Sequence, residues 1–382
     1  MNRRKFLSIL GGGTILSATA GAAAFVTTRT PTKVLAPWQQ PGSIYKDPRK
    51  RALSFAILAP NPHNRQPWLV DLSVANQISL FVDTDKMLPH TDPYNRQITI
   101  GLGCFLELLR MAAAEDGYHA STDRFPEGFD SASLDHKPVA VVTLRKDPSI
   151  QKDILFAHVL NRRSLKEPFD TNRPVSGDVL QALKSAVRQE NTVGVSSDRK
   201  FVGHMRDLTA RAMSIEIETP RTYQESVDLF RIGKAEVENN PDGIDFSGPL
   251  FETLGATGLF TRESALDTTT STYQQGIEAV MAPLATAMGY VWVVSPANTR
   301  LDQLNAGRDW IRINLATTGH KIGLHPISQA LQEYPEMKVE FNKCRNILAA
   351  NGGTVQMLGR LGYAEAVPPS PRWSLENKII KA

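Results

Sequence analysis

The pattern of short apolar strands and long helices runs through about the first 150 residues of this 382-residue chain and then starts again. Strands are indicated at 68–72 and 78–82 before one long helix, and at 290–294 before another. The two long helices, at 96–117 and 306–319, both end in an alanine-bearing turn and a glycine. This alternation predicts a layered α+β or α/β fold. The similarity between the halves has two interpretations at this stage: an internal repeat, or coincidence between amphipathic helices.

Length, charge and cysteine content exclude several classes of protein. At roughly 150 residues per domain, the length predicts about two domains or one large one. The net charge is +4, and three of the positive charges are Arg3, Arg4 and Lys5, so no nucleic-acid partner is expected. Cys104 and Cys344 are too few for a disulfide scaffold. We expect two free thiols, although one bridge between them is compatible with an oxidising compartment.

Common catalytic motifs are absent from the sequence. There is no Gly-x-Ser-x-Gly nucleophile elbow and no Gly-x-x-x-x-Gly-Lys-Ser/Thr phosphate loop. His320 and His325 are five residues apart, which is not a spacing typical of zinc ligands. The sequence therefore predicts no metal site, and no side chain is assigned a catalytic role.

The first thirty residues have the composition of an export signal. Arg3-Arg4-Lys5 precedes an uncharged stretch, 6–26, that is rich in glycine and alanine. Adjacent arginines before Lys-Phe-Leu resemble the twin-arginine signal, whose export machinery carries folded proteins, often with a cofactor loaded. The alternative is an uncleaved membrane anchor, because about 20 apolar residues span a bilayer. We expect this segment at 1–30, a linker at 31–44, and an exported or periplasmic protein, anchored to the inner membrane where the signal is not cleaved.

The loop 59–68 carries a group of polar side chains between a predicted helix and a strand. Two prolines stiffen it, and Asn61, His63, Asn64 and Gln66 lie close together in sequence. A side-chain amide both donates and accepts hydrogen bonds, so Asn64 and Gln66 suit the edge of a flat heterocycle. The loop is equally consistent with a capped turn before an ordinary strand, with Trp68 in the core.

Two arginine-bearing segments suit a phosphate group. Arg162-Arg163-Ser164 follows a predicted helix at 154–161, and Arg372 lies in the C-terminal tail. Planar guanidinium groups bind phosphate oxygens in a bidentate manner. Taken alone, each segment is also typical of a solvated helix end or tail.

In this context the three segments resemble the nitroreductase family of FMN-dependent oxidoreductases. The loop matches the family's Pro-Ser-x-x-Asn-x-Gln-Pro-Trp sequence, except that Asn61 replaces the usual serine. The resemblance implies that the arginines and Ser164 hold the FMN phosphate and that the loop holds the flavin. It also implies that 319–326 passes the flavin N5 and offers a backbone N–H there. The cofactor-binding residues implied are Asn61, His63, Asn64, Gln66, Arg162, Arg163, Ser164, Leu324, His325 and Arg372.

The order of the motifs departs from that of an ordinary nitroreductase. There the Arg-Arg-Ser segment precedes the loop and a homodimer shares each site, whereas here the loop comes first, about a hundred residues earlier. Two tandem half-units explain this order: 45–150 keeps the loop, with a blurred arginine motif at Arg49-Lys50-Arg51, and 151–382 keeps the arginines but not the loop. We expect a nitroreductase-like α+β fold of the Acg-like branch, in which a monomer acts as a pseudo-dimer with one FMN.

The resemblance implies an exported FMN-binding oxidoreductase that passes a hydride or electrons to an acceptor. Outside the cytoplasm there is no pool of NAD(P)H, so a quinone-type molecule or an exported redox protein is the expected donor. An alternative is a flavin-sequestering or sensing protein, with the glycine-rich segment 239–272 as a lid over the ring. A third is an exported binding module for another phosphate-bearing aromatic molecule.

Overall fold

The computed structural model describes residues 29–39 and 41–381, so the predicted export signal lies almost entirely outside the described residues. The helices are α1 Pro48–Ala56, α2 Arg96–Glu115, α3 Gly177–Ser185, α4 Arg199–Glu218, α5 Pro220–Asp228, α6 Gly233–Asn239, α7 Pro249–Ala256, α8 Arg262–Leu266, α9 Ser271–Met281, α10 Arg300–Gly319 and α11 Lys338–Leu348. Short 3-10 helices include Lys33–Trp38, Pro62–Asn64 and Ile154–Asn161.

Most of the strands form two sheets with the same topology. The strands are β1 Trp68–Asp71, β2 Gln77–Val82, β3 Tyr118–Arg124, β4 Ala140–Lys146, β5 Thr192–Ser196, β6 Phe230–Ile232, β7 Ile244–Phe246, β8 Gly289–Ser295, β9 Gly323–Pro326, β10 Thr354–Gly362 and β11 Ile379–Lys381. The first sheet has the order β11-β1-β2-β4-β3 and the second β5-β8-β10-β9. Apart from β11, all neighbours in both sheets are antiparallel. The expected α+β fold of two tandem half-units is confirmed by this repeated order.

The long helices α2 and α10 pack against each other and form the main contact between the half-units. A Cβ atom on Gly103 would lie 2.2 Å from the carbonyl oxygen of Leu304, and one on Gly307 would lie 1.9 Å from that of Ile100. The two glycines occupy the same position in helices of equal length, so the close approach is itself symmetric. Within the described residues, α2 is the one helix long and apolar enough to cross a membrane, and its burial makes it a core helix.

The first residue of α2 and the first residue of α10 are arginines, and the side chain of each donates hydrogen bonds to the opposite half-unit. Arg96 donates to the carbonyl oxygens of Leu331 (2.6 Å) and Gln356 (2.7 Å) in the second half-unit. Arg300 donates to the carbonyl oxygens of Tyr94 (2.7 Å) and Asp130 (3.1 Å) in the first. The chain end also crosses, because β11 pairs in parallel with β1. The half-unit boundaries predicted at 45–150 and 151–382 stay a prediction.

A large insertion separates β5 from β8, where the first half-unit has only the turn between β1 and β2. It contains α4 to α9 and the parallel pair β6 and β7. β6 separates α5 from α6, and the glycine-rich segment 239–272 forms β7, α7, α8 and the start of α9. Its small aromatic cluster has ring centroids 4.6 to 6.1 Å apart and consists of Phe230, Phe246, Phe251 and Phe260.

Two further expectations can be compared with the fold. Part of the expected linker 31–44 is ordered: it forms the 3-10 helix Lys33–Trp38, and Trp38 is buried. Cys104 and Cys344 are both free and buried, as expected.

Candidate functional site

The loop after α1 is held in an unusual backbone conformation by its own side chains. His63, Asn64 and Gln66 all have positive φ angles, of 47°, 53° and 50°, which are uncommon for residues other than glycine. Asn61 fixes this shape, because its Oδ1 accepts from the backbone N–H of Gln66 (2.7 Å) and its Nδ2 donates to the Ala59 carbonyl (3.1 Å). Such backbone strain clusters at ligand sites and persists only where the surroundings impose it. Asn61 thus shapes the loop, and its contact with a ligand stays a prediction.

Arg372 and Arg162 meet on the carbonyl oxygens that follow α1. Arg372 donates from Nε to the Ile57 carbonyl (3.0 Å) and from Nη2 to those of Leu58 (3.4 Å) and Ala59 (3.2 Å). Arg162 donates to the same Leu58 carbonyl at 3.3 Å. Asn64 Oδ1 accepts a hydrogen bond from Arg372. The structure therefore brings together the loop, the Arg-Arg-Ser segment and the C-terminal tail.

Three guanidinium groups surround one indole ring without a balancing negative charge. The Cζ atoms of Arg163, Arg372 and Arg162 lie 5.0, 5.2 and 5.7 Å from the ring centroid of Trp38. In the part of the chain that the structure describes, no carboxylate forms an ion pair with any of the three. Burial, together with the charges of neighbouring arginines, lowers the pKa of Arg162 to about 10 and that of Arg372 well below its ordinary value.

The buried charge of this arginine cluster (Arg162, Arg163 and Arg372) favours an anion. Burying an unpaired charge is costly, and a guanidinium group retains its proton in proteins. The Nε of Arg162 is buried and has no hydrogen-bond partner. Arg163 Nε donates to the Val367 carbonyl at 3.2 Å, so even this group is bound only to neutral oxygen. A phosphate group would supply both the missing charge and the missing acceptor.

The amides of Asn64 and Gln66 bind backbone groups in this structure. Gln66 Nε2 donates to the Pro241 carbonyl at 2.6 Å, and its Oε1 accepts from the Trp373 N–H at 2.9 Å. Asn64 Nδ2 donates to the carbonyls of Pro371 (3.1 Å) and Pro241 (3.3 Å). These bonds join the loop to the insertion and to the tail. Recognition of a heterocycle by the two amides stays a prediction.

The segment 319–326, predicted to pass the flavin, lies beside the Arg-Arg-Ser segment. The Leu165 N–H, directly after Ser164, donates to the Leu324 carbonyl at 2.8 Å, and His325 follows on β9. Arg360 Nε donates to His325 Nδ1 at 2.9 Å, which assigns the ring proton of the neutral imidazole to Nε2. Burial, followed by the charges of Arg360 and Lys166, lowers the pKa of His325. The ring therefore stays neutral at ordinary pH.

His63 lies on the other face of the loop, against the insertion. Its Nε2 is 3.1 Å from Ser226 Oγ, and its buried Nδ1 has no partner. Burial lowers the pKa of His63 to about 4, and the charges of Lys166 and Arg65 act in the same direction. The residue is neutral in the folded protein, with one ring nitrogen left for a ligand.

Arg49 and Arg51, in the blurred arginine motif expected in the first half-unit, bind partners of their own. Arg49 binds its N-cap Asp47 and donates to the carbonyls of Leu72 (2.7 Å) and Val74 (2.9 Å), so it anchors the turn between β1 and β2. Arg51 pairs with Asp116 at 2.6 Å. Both guanidinium groups bind residues away from the arginine cluster, so neither contributes to its anion site.

A second group of arginines lies at the corresponding place in the other half-unit. The Ala186 carbonyl, directly after α3, accepts from Arg312 Nε at 2.6 Å, as the Ile57 carbonyl after α1 accepts from Arg372. Here carboxylates balance the charge: Arg312 Nη1 lies 3.1 Å from Glu107 and 2.5 Å from Asp153. This group needs no external anion, in contrast to the arginine cluster. The described residues contain no group of three or more His, Cys, Asp or Glu that could hold a metal ion.

Sequence reasoning missed Trp38 and Asn314. Asn314 Oδ1 accepts from Arg162 at 2.9 Å, and its Nδ2 donates to the Arg163 carbonyl at 3.2 Å. Nothing in the spacing along the chain connects these residues, because α10 and the N-terminal segment meet the site only through the tertiary fold. A lone tryptophan in a polar, proline-rich stretch was the one signal available for Trp38.

Glu216, on α4, is expected to make stability depend on pH. Burial raises the pKa of Glu216 to about 7, although Gln332 Nε2 donates to its Oε2 at 2.6 Å. In the folded state Glu216 therefore keeps its proton up to about pH 7. In the unfolded state, where its pKa is near 4.5, it loses the proton at lower pH. The contribution to stability is present below pH 4.5 and is lost as pH rises through about 7. At pH 8, Glu216→Gln should be more stable than the wild type by about 3 kcal/mol.

Urea unfolding at pH 5, 6.5 and 8 measures this effect. The wild type should lose stability relative to Glu216→Gln between pH 5 and 8. Glu336→Gln is the control, because Arg221 lowers the pKa of the exposed Glu336 to about 2, outside this range. Parallel pH profiles for the wild type and Glu216→Gln would show that Glu216 does not titrate there.

Several known proteins are similar to this chain in sequence. No family model matches the chain. The Mycobacterium tuberculosis protein named "Putative NAD(P)H nitroreductase Rv3131" is 25% identical over 343 residues, which cover 86% of this chain and 90% of that protein. The chain is a homologue of the nitroreductase-named proteins. "Putative NAD(P)H nitroreductase acg" of the same organism is 33% identical over 124 residues. This match covers 32% of this chain and only 37% of the Acg protein.

Solved nitroreductase structures are also similar to this homologue. The FMN-bound nitroreductase of Bacteroides fragilis is 13% identical over 58% of this chain and 95% of its own, with a TM-score of 0.33. The FMN-dependent nitroreductase NfnB of Mycobacterium smegmatis, solved with NADPH, is 20% identical over 56% of this chain and 92% of its own, with a TM-score of 0.32.

Proposed function

We propose that this chain is an exported FMN-binding oxidoreductase that acts as a monomer with one cofactor per chain. The observation that carries the proposal is the arginine cluster, which lacks a negative charge and meets the loop of the opposite half-unit on the carbonyls after α1. The names of the relatives, NAD(P)H nitroreductases, support a redox function.

In this proposal one group of residues binds the phosphate of FMN and another surrounds its ring. Arg162, Arg163 and Arg372 bind the phosphate, and Ser164 adds a hydroxyl beside them. The loop and the β9 segment with Leu324 and His325 form the walls for the ring. FMN, when bound, supplies the uptake and transfer of a hydride or of electrons, so the protein needs to position it and to exclude water. The lack of an assigned side-chain acid or base is consistent with this division of labour.

The electron donor and acceptor follow from the location. We infer that the export signal sends the protein out of the cytoplasm, through the twin-arginine machinery, to the periplasm or the outer face of the inner membrane. There a quinone-type molecule or another exported redox protein replaces NAD(P)H. Cell fractionation of the full chain, and of an Arg3→Lys/Arg4→Lys variant expected to remain in the cytoplasm, tests this step.

A flavin-sequestering or sensing protein is the second candidate function, and the insertion favours it. The Gly243 N–H donates to the Asn64 carbonyl at 3.3 Å, and Gln66 Nε2 donates to the Pro241 carbonyl at 2.6 Å. The start of the predicted lid 239–272 is therefore bonded directly to the loop. A lid held in this way would shield the ring from a bulky acceptor.

One experiment separates the candidates. The purified full chain is denatured and the released flavin is identified and counted. A dithionite-reduced sample is then mixed with menadione or nitrofurazone, with free FMN as the reference. Reoxidation faster than that of free FMN supports an oxidoreductase, and slower reoxidation supports sequestration. Protein that neither contains FMN nor takes it up would overturn both, and more than one FMN per chain would contradict the pseudo-dimer.

A further inference from the structure

We propose that Trp38 and the segment that carries it form an additional part of the phosphate site, and that they retain the bound phosphate group. This inference rests on the proposed function for the identity of the ligand, FMN. It concerns the N-terminal helix Lys33–Trp38, which has no counterpart among the motifs of the loop, the Arg-Arg-Ser segment or the tail.

The helix is tied to the same tail that carries Arg372. The Arg372 N–H donates to the Val34 carbonyl at 2.9 Å, and Trp38 Nε1 donates to the Ser370 carbonyl at 2.8 Å. These bonds fix the indole ring against the arginine cluster, where it is 5% exposed. Trp38 is therefore held in place by specific polar contacts as well as by apolar packing.

The ring stabilises the cluster without neutralising it. Guanidinium groups are attracted to the face of an indole by its quadrupole. The indole carries no net charge, so the positive charge of the three guanidinium groups still lacks a balancing anion. Because the ring also keeps water away from the guanidinium groups, it lowers the local dielectric constant and strengthens their attraction for a phosphate. Trp38 should therefore slow the release of a phosphate-bearing ligand.

The start of this segment is fastened to the insertion. Arg29 lies 3.5 Å from Glu252 on α7. Residues 29–38 thus run from the insertion to the arginine cluster, directly after the predicted export signal. A ligand bound to the arginine cluster beside Trp38 should therefore be released more slowly while this segment stays in place.

Phosphate-dependent stability of the ligand-free full chain tests the inference. Thermal unfolding is measured in sodium phosphate and in sodium chloride of equal ionic strength. We expect phosphate to raise the midpoint of the wild type, and this increment to fall to less than half in Trp38→Ala and to an intermediate value in Trp38→Phe. Trp292 donates from its indole to the Leu348 carbonyl at 3.0 Å in the second half-unit, so Trp292→Ala and Trp292→Phe are the controls. They should keep the full increment whatever their midpoint in chloride.

Flavin release gives a second measurement. After loading with FMN and dilution, Trp38→Ala should release the flavin at least about tenfold faster than the wild type, and Trp292→Ala at the wild-type rate. A full phosphate increment in Trp38→Ala, or none in the wild type, would overturn the inference. A wild type that responds to phosphate as expected but binds no FMN would leave the inference standing and reject the proposed function.

Discussion

Replacement of Arg372 by alanine is expected to weaken FMN binding at least 100-fold. Arg372 contacts the carbonyls of Ile57, Leu58 and Ala59 and the side chain of Asn64, so it both supplies charge and holds the loop against the arginine cluster. Charge-assisted hydrogen bonds contribute about 1.5–3 kcal/mol each, and 100-fold corresponds to about 2.7 kcal/mol. Arg372→Lys should bind FMN with intermediate affinity, because it keeps the charge but loses the planar fork.

Fluorescence titration of ligand-free protein with FMN measures this change. Arg221→Ala is the control variant: Arg221 is exposed and pairs with Glu336 at 2.6 Å, so its loss removes an arginine and leaves the site intact. Circular dichroism of each variant establishes that the fold is retained. Wild-type affinity in Arg372→Ala would show that the arginine cluster does not bind the phosphate.

Strands and helices with a strong apolar pattern could be predicted from the sequence. The strand predicted at 290–294 corresponds to β8, and the long helix predicted at 306–319 corresponds to α10, which begins six residues earlier. The short strands β3 and β9 were missed. β3 alternates half-buried and exposed positions and contains few apolar residues, so only its pairing with β4 defines it.

The register of the repeat could not be obtained from the sequence. The segments 96–117 and 306–319 differ in length and share only their type of ending, so their comparison matches no individual residues, whereas the structure matches Arg96 with Arg300. The two helices share a glycine, a buried arginine and a buried alanine, the last being Ala112 and Ala316. Most of their other residues differ, because each helix packs against a different sheet.

The site was predicted where the groups are adjacent in sequence and missed where they are not. Arg162 and Arg163 are consecutive and follow a helix, and the loop is a continuous motif. The partners of Arg49 could not be predicted, because a run of basic residues does not show which carbonyls lie within reach. The turn between β1 and β2 offers three such carbonyls to Arg49. The role of Trp38 depends on a contact with residues more than 120 positions away.

Gly307→Ala is expected to destabilise the whole molecule by more than about 3 kcal/mol. The new Cβ would lie 1.9 Å from the Ile100 carbonyl oxygen and 2.8 Å from its carbon, and both are backbone atoms of α2 that cannot rotate away. The helices would have to separate, and overpacking of a core costs about 1–3 kcal/mol even where side chains can adjust. Because Asn314 on the same helix positions Arg162, the variant should also bind FMN more weakly.

Gly203 is a control for Gly307, because both lie in helices but only Gly307 lies where two helices are in close contact. Gly203 lies within α4, and a Cβ there would meet no atom within 4 Å. Gly203→Ala should therefore raise the free energy of unfolding by roughly 0.5–1 kcal/mol, because alanine loses less backbone entropy in a helix. Urea unfolding of both variants and of Gly103→Ala, which repeats the clash from the other helix, gives the comparison. If Gly103→Ala and Gly307→Ala unfold like the wild type, the half-units are not joined by a close approach of α2 and α10. The site, which takes its loop from one half-unit and its arginines from the other, would then need a different support.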